Sequence, residues 1–224
     1  MLHSITGVFP VFQTPFREDF SIDSEVLAAE IEWMYGHDID GIVMAMVSEV
    51  IRLSGEERRE LARLSCEYGL DHGPVVISVG AESTSIAVGF AHHAEEVGAT
   101  AVMAIPPMSV SAGEDELYRY YQALLDAIAI PVIIQDASGY VGEPMSIGMQ
   151  AGLLDAYQER VLFKPEAIPI GPRLTELRDA TEGAACVFEG SGGISLVDSF
   201  KRGIAGTMPG AEVCWAIVKL WNAL

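Results

Sequence analysis

The sequence predicts an α/β protein folded as a (β/α)8 TIM barrel, and three observations predict it. Eight short apolar runs recur along the 224 residues, each closed by Gly, Pro or polar residues. Their starts are separated by 33, 33, 27, 30, 30, 25 and 19 residues, about the length of a strand–helix unit except at the last step. The runs are apolar throughout rather than alternating, as in parallel strands buried on both faces. No linker, low-complexity tract or charge block interrupts the pattern, so residues 1–224 are expected to form a single barrel domain. A doubly wound sheet shares the local pattern, since periodicity does not show closure.

The predicted strands are Val8–Phe12, Gly41–Val47, Pro74–Val79, Ala101–Ile105, Pro131–Ile134, Val161–Phe163, Cys186–Phe188 and Ala205–Met208. Asp23 or Ser24 can cap a first helix over Glu25–Tyr35. Ser54-Gly55-Glu56-Glu57 is a capping box ahead of a second, Arg58–Leu64. Helical periodicity places further helices over Ser83–Val97, Glu114–Ala129, Ser146–Gln158, Pro172–Thr181 and Ile194–Arg202, with Val213–Leu224 beginning an eighth. Tyr118, Tyr120 and Tyr121 lie at helical spacing and read as core or interface. Along the last helix Val213, Ile217, Leu220 and Leu224 make one apolar stripe that needs a partner surface.

Composition narrows the function classes. Thirteen Lys+Arg against 32 Asp+Glu give a net charge of −19, which argues against phosphate-held nucleic-acid binding and against a polybasic membrane surface. The longest uncharged stretch, Val97–Gly113, contains Pro106, Pro107 and hydroxyl residues, wrong for a membrane span. The first residues lack a secretory pattern, so a cytoplasmic protein with a small-molecule partner is expected, without nucleic acid or membrane. Cys66, Cys186 and Cys214 are odd in number and widely spaced, and read as reduced structural thiols. His92 and His93 are adjacent on a helix and diverge by about 100°, so they cannot share a metal as an i, i+4 pair could; no metal site and no cofactor are expected.

In a (β/α)8 barrel the chemistry gathers at the C-terminal ends of the strands. Of only three lysines, Lys201 and Lys219 fall on helices, whereas Lys164 ends the buried run Val161-Leu162-Phe163. A charged amine there is costly unless paired, and burial pushes a lysine toward the neutral, nucleophilic form that a Schiff-base enzyme uses on a ketone. A structural lysine paired to Glu166 or Glu189 would have the same sequence context.

The sequence resembles the dihydrodipicolinate synthase and N-acetylneuraminate lyase family of Schiff-base aldolases and dehydratases. The resemblance runs from Gly7 to about Trp215 on Gly7-Val8-Phe9-Pro10, Thr14-Pro15-Phe16, Asp40-Gly41-Ile42-Val43, Ser48-Glu49, Leu53-Ser54, Glu56-Glu57-Arg58, Gly98-Ala99, Pro106-Pro107, Ile130-Pro131-Val132 and Phe163-Lys164. It implies that Lys164 is the Schiff-base lysine, that the substrate is a 2-oxo acid, and that the chain forms a homo-oligomer, a dimer or tetramer. It also implies that the chain lacks the family's C-terminal helical extension and ends within the eighth helix, leaving apolar surface open.

Departures from the family pattern carry the finer expectation. The usual Gly-Thr-Thr-Gly-Glu loop reads Ala45-Met46-Val47-Ser48-Glu49, and the proton-relaying tyrosines fall at Gln135 and Met108. The arginine that holds the synthase substrate's second carboxylate falls at Tyr140. Synthase and sialic-acid lyase activities are therefore not expected. Ser48-Glu49, Gln135-Asp136-Ala137, Phe163-Lys164-Pro165-Glu166, Phe188-Glu189-Gly190 and Ala205-Gly206-Thr207-Met208 resemble instead the L-2-keto-3-deoxyarabonate dehydratase branch. That implies dehydration of a 2-keto-3-deoxy sugar acid, with a pyruvate-dependent aldolase of the same family as the neighbouring reading.

Catalysis is thus expected from Lys164, with Ser48, Glu49, Gln135, Asp136, Glu166, Glu189, Gly190 and Met208 around the substrate. Ser48 can donate to a substrate carboxylate, whereas Glu49 can equally cap the following turn. Gln135 can orient a hydroxyl or water but cannot titrate, and Asp136, Glu166 and Glu189 are the candidate proton carriers. Gly190-Ser191-Gly192-Gly193 reads as pocket wall first and anion cradle second. A silent barrel that only binds a sugar acid is a second class, and a phosphate-binding isomerase a third; a buried lysine argues against the former.

Overall fold

A ring of eight parallel strands sets the position of every inward side chain in this protein. The structure, a computed structural model, describes residues 5–109, 112–139 and 143–224. The strands are β1 (Gly7–Val8), β2 (Ile42–Met44), β3 (Val75–Ser78), β4 (Ala101–Ala104), β5 (Val132–Asp136), β6 (Val161–Pro165), β7 (Cys186–Glu189) and β8 (Gly206–Thr207). Each pairs in parallel with its neighbours in chain order, β1 pairs with β8, and a bridge from Val11 to Val43 joins β1 to β2. The sheet therefore closes, and the doubly wound alternative falls.

The helices are α1 (Ser24–Tyr35), α2 (Gly55–Gly69), α3 (Thr84–Glu96), α4 (Glu114–Ala127), α5 (Ile147–Tyr157), α6 (Ile170–Ala180), α7 (Leu196–Lys201) and α8 (Cys214–Trp221). Their starts follow the caps. Asp23 accepts from the Val26 N–H, and Ser54 and Glu57 bond each other's backbone in a capping box. Ser146 does the same for the Met149 N–H.

Differences from the sequence expectation are local. α4 stops at Ala127, where Ile128 turns extended at φ −128° and ψ 160°; Pro131 holds Ile130 out of the helical region, and Glu95 accepts the Ala129 and Ile130 N–H groups. α7 begins at Leu196 rather than Ile194, since Gly192 and Gly193 turn the chain with φ of 69° and 89°. α8 spans Cys214–Trp221, with Asn222 at its C-cap position. On its stripe Ile217 is buried and Val213 and Leu220 pack on the core, while Leu224 is exposed. No helix among the described residues is long and apolar enough to cross a membrane.

Two apolar clusters result. The larger lies between the sheet and the helices and includes Val8, Ile42, Ile77, Ile134, Phe163 and Val187, together with Tyr120 and Tyr121 of α4. The smaller fills the barrel lumen and includes Phe9, Val76, Ile133, Leu162 and Phe188. Successive strand residues alternate between the two, so membership of a cluster fixes which way the next side chain points.

The thiols belong to these layers. Burial pushes Cys66 up to about 12 and Cys186 up to about 11, and raises Cys214 as well, against an ordinary value near 9. Between those values the unfolded chain has lost thiol protons that the folded chain keeps, so stability falls as pH rises above about 9. Urea midpoints should therefore decline from pH 9 to 11, with a shallower decline in Cys66→Ala. Iodoacetamide at pH 8 should label Cys66 and Cys214 only after unfolding; rapid labelling of the native chain would show that α2 and α8 do not seal them.

Candidate active site

The register assembles the lumen in layers of four side chains from alternate strands. Phe9, Val76, Ile133 and Phe188 make a dry layer. Above it Val43, Met103 and Met208 share a layer with Lys164, and above that come Val11, Ser78, Gln135 and Gly190. Glu166 follows Lys164 by two residues beyond the same strand, at the mouth.

Lys164 is inward because Leu162, two residues earlier, lies in the lumen cluster and Phe163 lies in the outer one. Its Nζ donates to Glu166 Oε1 at 2.9 Å, and both side chains are about 95% buried. Gln135 is the direct register partner of Lys164 across β5 and β6, and its Nε2 donates to Glu166 Oε2 at 2.6 Å. Both carboxylate oxygens are thus occupied, one by a cation and one by a neutral amide. A buried ammonium that would otherwise cost several kcal/mol is offset by a partner on its own strand face. Gly190 is required beside them: a Cβ there would stand 2.8 Å from Lys164 Cε and from Glu166 Oε1. Met103 and Met208 surround the lysine layer with apolar surface that excludes water.

The other two carboxylates turn away from the lumen. Asp136 follows the inward Gln135 and faces outward, where it accepts from the Ser138 N–H and hydroxyl and from the Met145 N–H, with Arg173 3.7 Å away. Glu189 follows the inward Phe188 and accepts from the Thr207 hydroxyl at 2.8 Å and from the Ser191 N–H and hydroxyl. Strand alternation sets both on the outer face, where each accepts from nearby backbone and hydroxyl donors and neither pairs with Lys164. They organise the mouth instead.

Ser48 and Glu49 are likewise engaged within the protein. The Ser48 hydroxyl donates to the Phe12 carbonyl at 2.6 Å and accepts from the Ala45 N–H, so its one proton is committed within the protein. Glu49 adopts φ 63° after a 3-10 turn over Met46–Ser48 and pairs with Arg52 at 2.7 Å on the surface. Met208 lies in the lumen cluster, and Gly190 stands directly against Lys164 and Glu166. Met108 belongs to the loop after β4, where its N–H and that of Ser109 donate to Glu82. Tyr140 lies outside the described residues. Ser78, absent from the strand-end residues expected above, lies two residues beyond the lumen residue Val76, and that spacing is its signal in the sequence.

Residues 4–211 match the model of the dihydrodipicolinate synthetase family. Among curated relatives, an L-2-keto-3-deoxyarabonate dehydratase of Azospirillum brasilense is 29% identical over 212 residues, 91% of this chain and 67% of the relative. A 4-hydroxy-tetrahydrodipicolinate synthase of Rhodospirillum centenum is 30% identical over 215 residues, 91% of this chain and 72% of the relative. Among solved structures, the chain superposes with a TM-score of 0.90 and 23% identity on YagE, a prophage protein of the dihydrodipicolinic acid synthase family from E. coli K12 in complex with pyruvate. That overlap covers 99% of this chain and 76% of YagE, and it shows the shared fold.

The coupling of the buried pair is measurable. Lys164→Met leaves Glu166 charged in the lumen and should cost about 3–5 kcal/mol in urea unfolding. Adding Glu166→Leu should recover a large part of that loss, so the two changes will be far from additive. Additive losses would mean that the two charges do not depend on each other.

Proposed function

The chain belongs to the dihydrodipicolinate synthetase family, and from that premise and the lumen geometry we propose that it is a Schiff-base lyase that dehydrates a 2-keto-3-deoxy sugar acid. The observation that carries the reading is the Lys164–Glu166–Gln135 array, an amine, a carboxylate and a non-titrating amide in contact at the mouth of the barrel.

Each group has a task that its chemistry suits. Proton transfer from the Lys164 ammonium to the adjacent Glu166 carboxylate, 2.9 Å away, leaves the neutral amine that attacks C2 of a 2-oxo acid. Loss of water gives a protonated iminium, whose positive charge acidifies C3. Glu166, returned to its anionic form, takes the C3 proton and an enamine results. The enamine electron pair then expels the C4 hydroxyl, which leaves as water with the proton Glu166 has just received. Hydrolysis of the remaining iminium consumes one water and releases a 2-oxo acid shorter by one water than the substrate. Gln135 holds the second oxygen of Glu166, so one oxygen stays aimed at the lysine and the bound C3.

The choice of dehydration over synthase chemistry rests on Gln135. An amide cannot relay the proton that a tyrosine at that strand end would carry, whereas it can orient a carboxylate that acts as base and then acid on neighbouring carbons. The dehydratase relative supports the same choice.

Borohydride in the presence of pyruvate or a 2-keto-3-deoxy sugar acid should fix one adduct on Lys164, seen by intact mass and peptide mapping, and Lys164→Ala should abolish it. Glu166→Gln should slow sugar-acid dehydration by at least about 100-fold and also raise the pyruvate concentration needed for trapping, because Glu166 takes first the ammonium proton and then the C3 proton. Condensation of pyruvate with aspartate semialdehyde should be negligible. An adduct that survives Lys164→Ala, or robust condensation, would reject this reading.

A further inference from the structure

One polar side chain in the lumen takes no part in the chemistry above. Ser78 ends β3 with its side chain on the inner face, two residues after Val76 of the lumen cluster, and it is buried. Its register partner on β4 is Met103, and it stands one residue beyond the Met44–Ile77 pair, beside Ala45. Among the described residues its hydroxyl has no hydrogen-bond partner, and it is not one of the polar atoms sealed from solvent.

The strand end that carries it is fixed from outside. Arg58 of α2, buried with its guanidinium 4.1 Å over the Phe90 ring, donates to the carbonyls of Ser78 at 3.0 Å and Gly80 at 3.1 Å. The Tyr120 hydroxyl accepts from the Ala81 N–H at 3.0 Å and donates to the Ile105 carbonyl. Both devices act on backbone atoms of the outer side, which leaves the Ser78 hydroxyl held toward the lumen but unspent.

A 2-oxo acid joined through C2 to Lys164 has two arms to place. C3 must face Glu166, which removes its proton. The C1 carboxylate then cannot share that wall, because Glu166 is itself anionic and the Gln135 amide already donates to it. It must turn to the opposite side of the barrel, built from Val11, Val43, Ala45 and Ser78. The Ser48 hydroxyl is committed to Phe12. We propose that the Ser78 hydroxyl donates to the C1 carboxylate of the bound 2-oxo acid and makes the site select carboxylates over uncharged ketones. This rests on the Schiff-base reading of Lys164.

The test compares pyruvate with hydroxyacetone, which keeps the methyl ketone and replaces the carboxylate by a hydroxymethyl group. Each is titrated under borohydride, with adduct read by intact mass, in wild type, Ser78→Ala and Ser78→Thr. Ser78→Ala should raise the pyruvate concentration for half-maximal trapping about tenfold, leave hydroxyacetone trapping unchanged, and be reversed by Ser78→Thr, which restores a hydroxyl. Unchanged hydroxyacetone trapping also shows that the variant keeps a folded lysine site. Pyruvate trapping by Ser78→Ala at wild-type concentrations, or equal loss of both ketones, overturns the proposal while Lys164 stands. A wild-type protein that traps neither ketone overturns the Schiff-base reading, and the proposal with it.

Discussion

Keeping an amine charged or chargeable inside a nearly dry lumen is the constraint on which the rest of this site depends. An isolated buried ammonium costs several kcal/mol, and the barrel offers few ways to offset it. A carboxylate two residues along the same strand face is one, because alternation guarantees that both point inward. Glu166 takes that position, 2.9 Å from the amine. Its second oxygen would then be a buried orphan, and the register partner Gln135 satisfies it without adding a charge. Crowding three long side chains together leaves no room on β7, and Gly190 stands there. The identities of four residues on three strands thus follow from one desolvation problem.

The same alternation sorts the remaining polar residues into those that can meet a substrate and those that can only build its walls. Asp136 and Glu189 leave their strands on the outer face and tie down the loop toward Met145 and the glycine-rich turn at Ser191. Arg58 and Tyr120 work from the same side on the end of β3. Preorganisation of an inner site is achieved by outer-face hydrogen bonds to backbone, so a lumen side chain such as Ser78 can be held in place while its own hydrogen-bonding capacity is kept for a ligand.

Much of the fold was legible because its signals are local. Eight apolar runs, the caps at Asp23 and Ser54, and turn glycines locate the elements to within a few residues, and Lys164 declares itself as the only lysine ending a buried run. Closure of the ring and the partnering of side chains were not legible, since both depend on register between segments far apart in the chain. Gln135 and Lys164 become neighbours only when β5 and β6 pair. Asp136, Glu166 and Glu189 look alike as strand-end carboxylates until each strand is taken as a two-faced ribbon. Counting from Leu162 to Lys164 and Glu166, and from Val187 to Glu189, would have separated them.

The acidic balance of the chain bears on how such a site takes an anion. A net charge of −19 opposes the approach of any carboxylate, but ionic strength near the physiological range screens exposed charges beyond roughly 8 Å. Besides the lysines on α7 and α8 the chain carries ten arginines, and among the described residues Arg17, Arg52, Arg63, Arg173, Arg178 and Arg202 each lie against a carboxylate, so much of the positive charge outside the lumen is neutralised locally. Recognition must therefore be made at contact range, where the low dielectric of the lumen strengthens a single ammonium or a single hydroxyl donor. On the proposed reading, an acidic surface around a single lumen ammonium fits a site whose discrimination is exercised after entry, by the Lys164 amine and by the donors and acceptors arranged on either side of it.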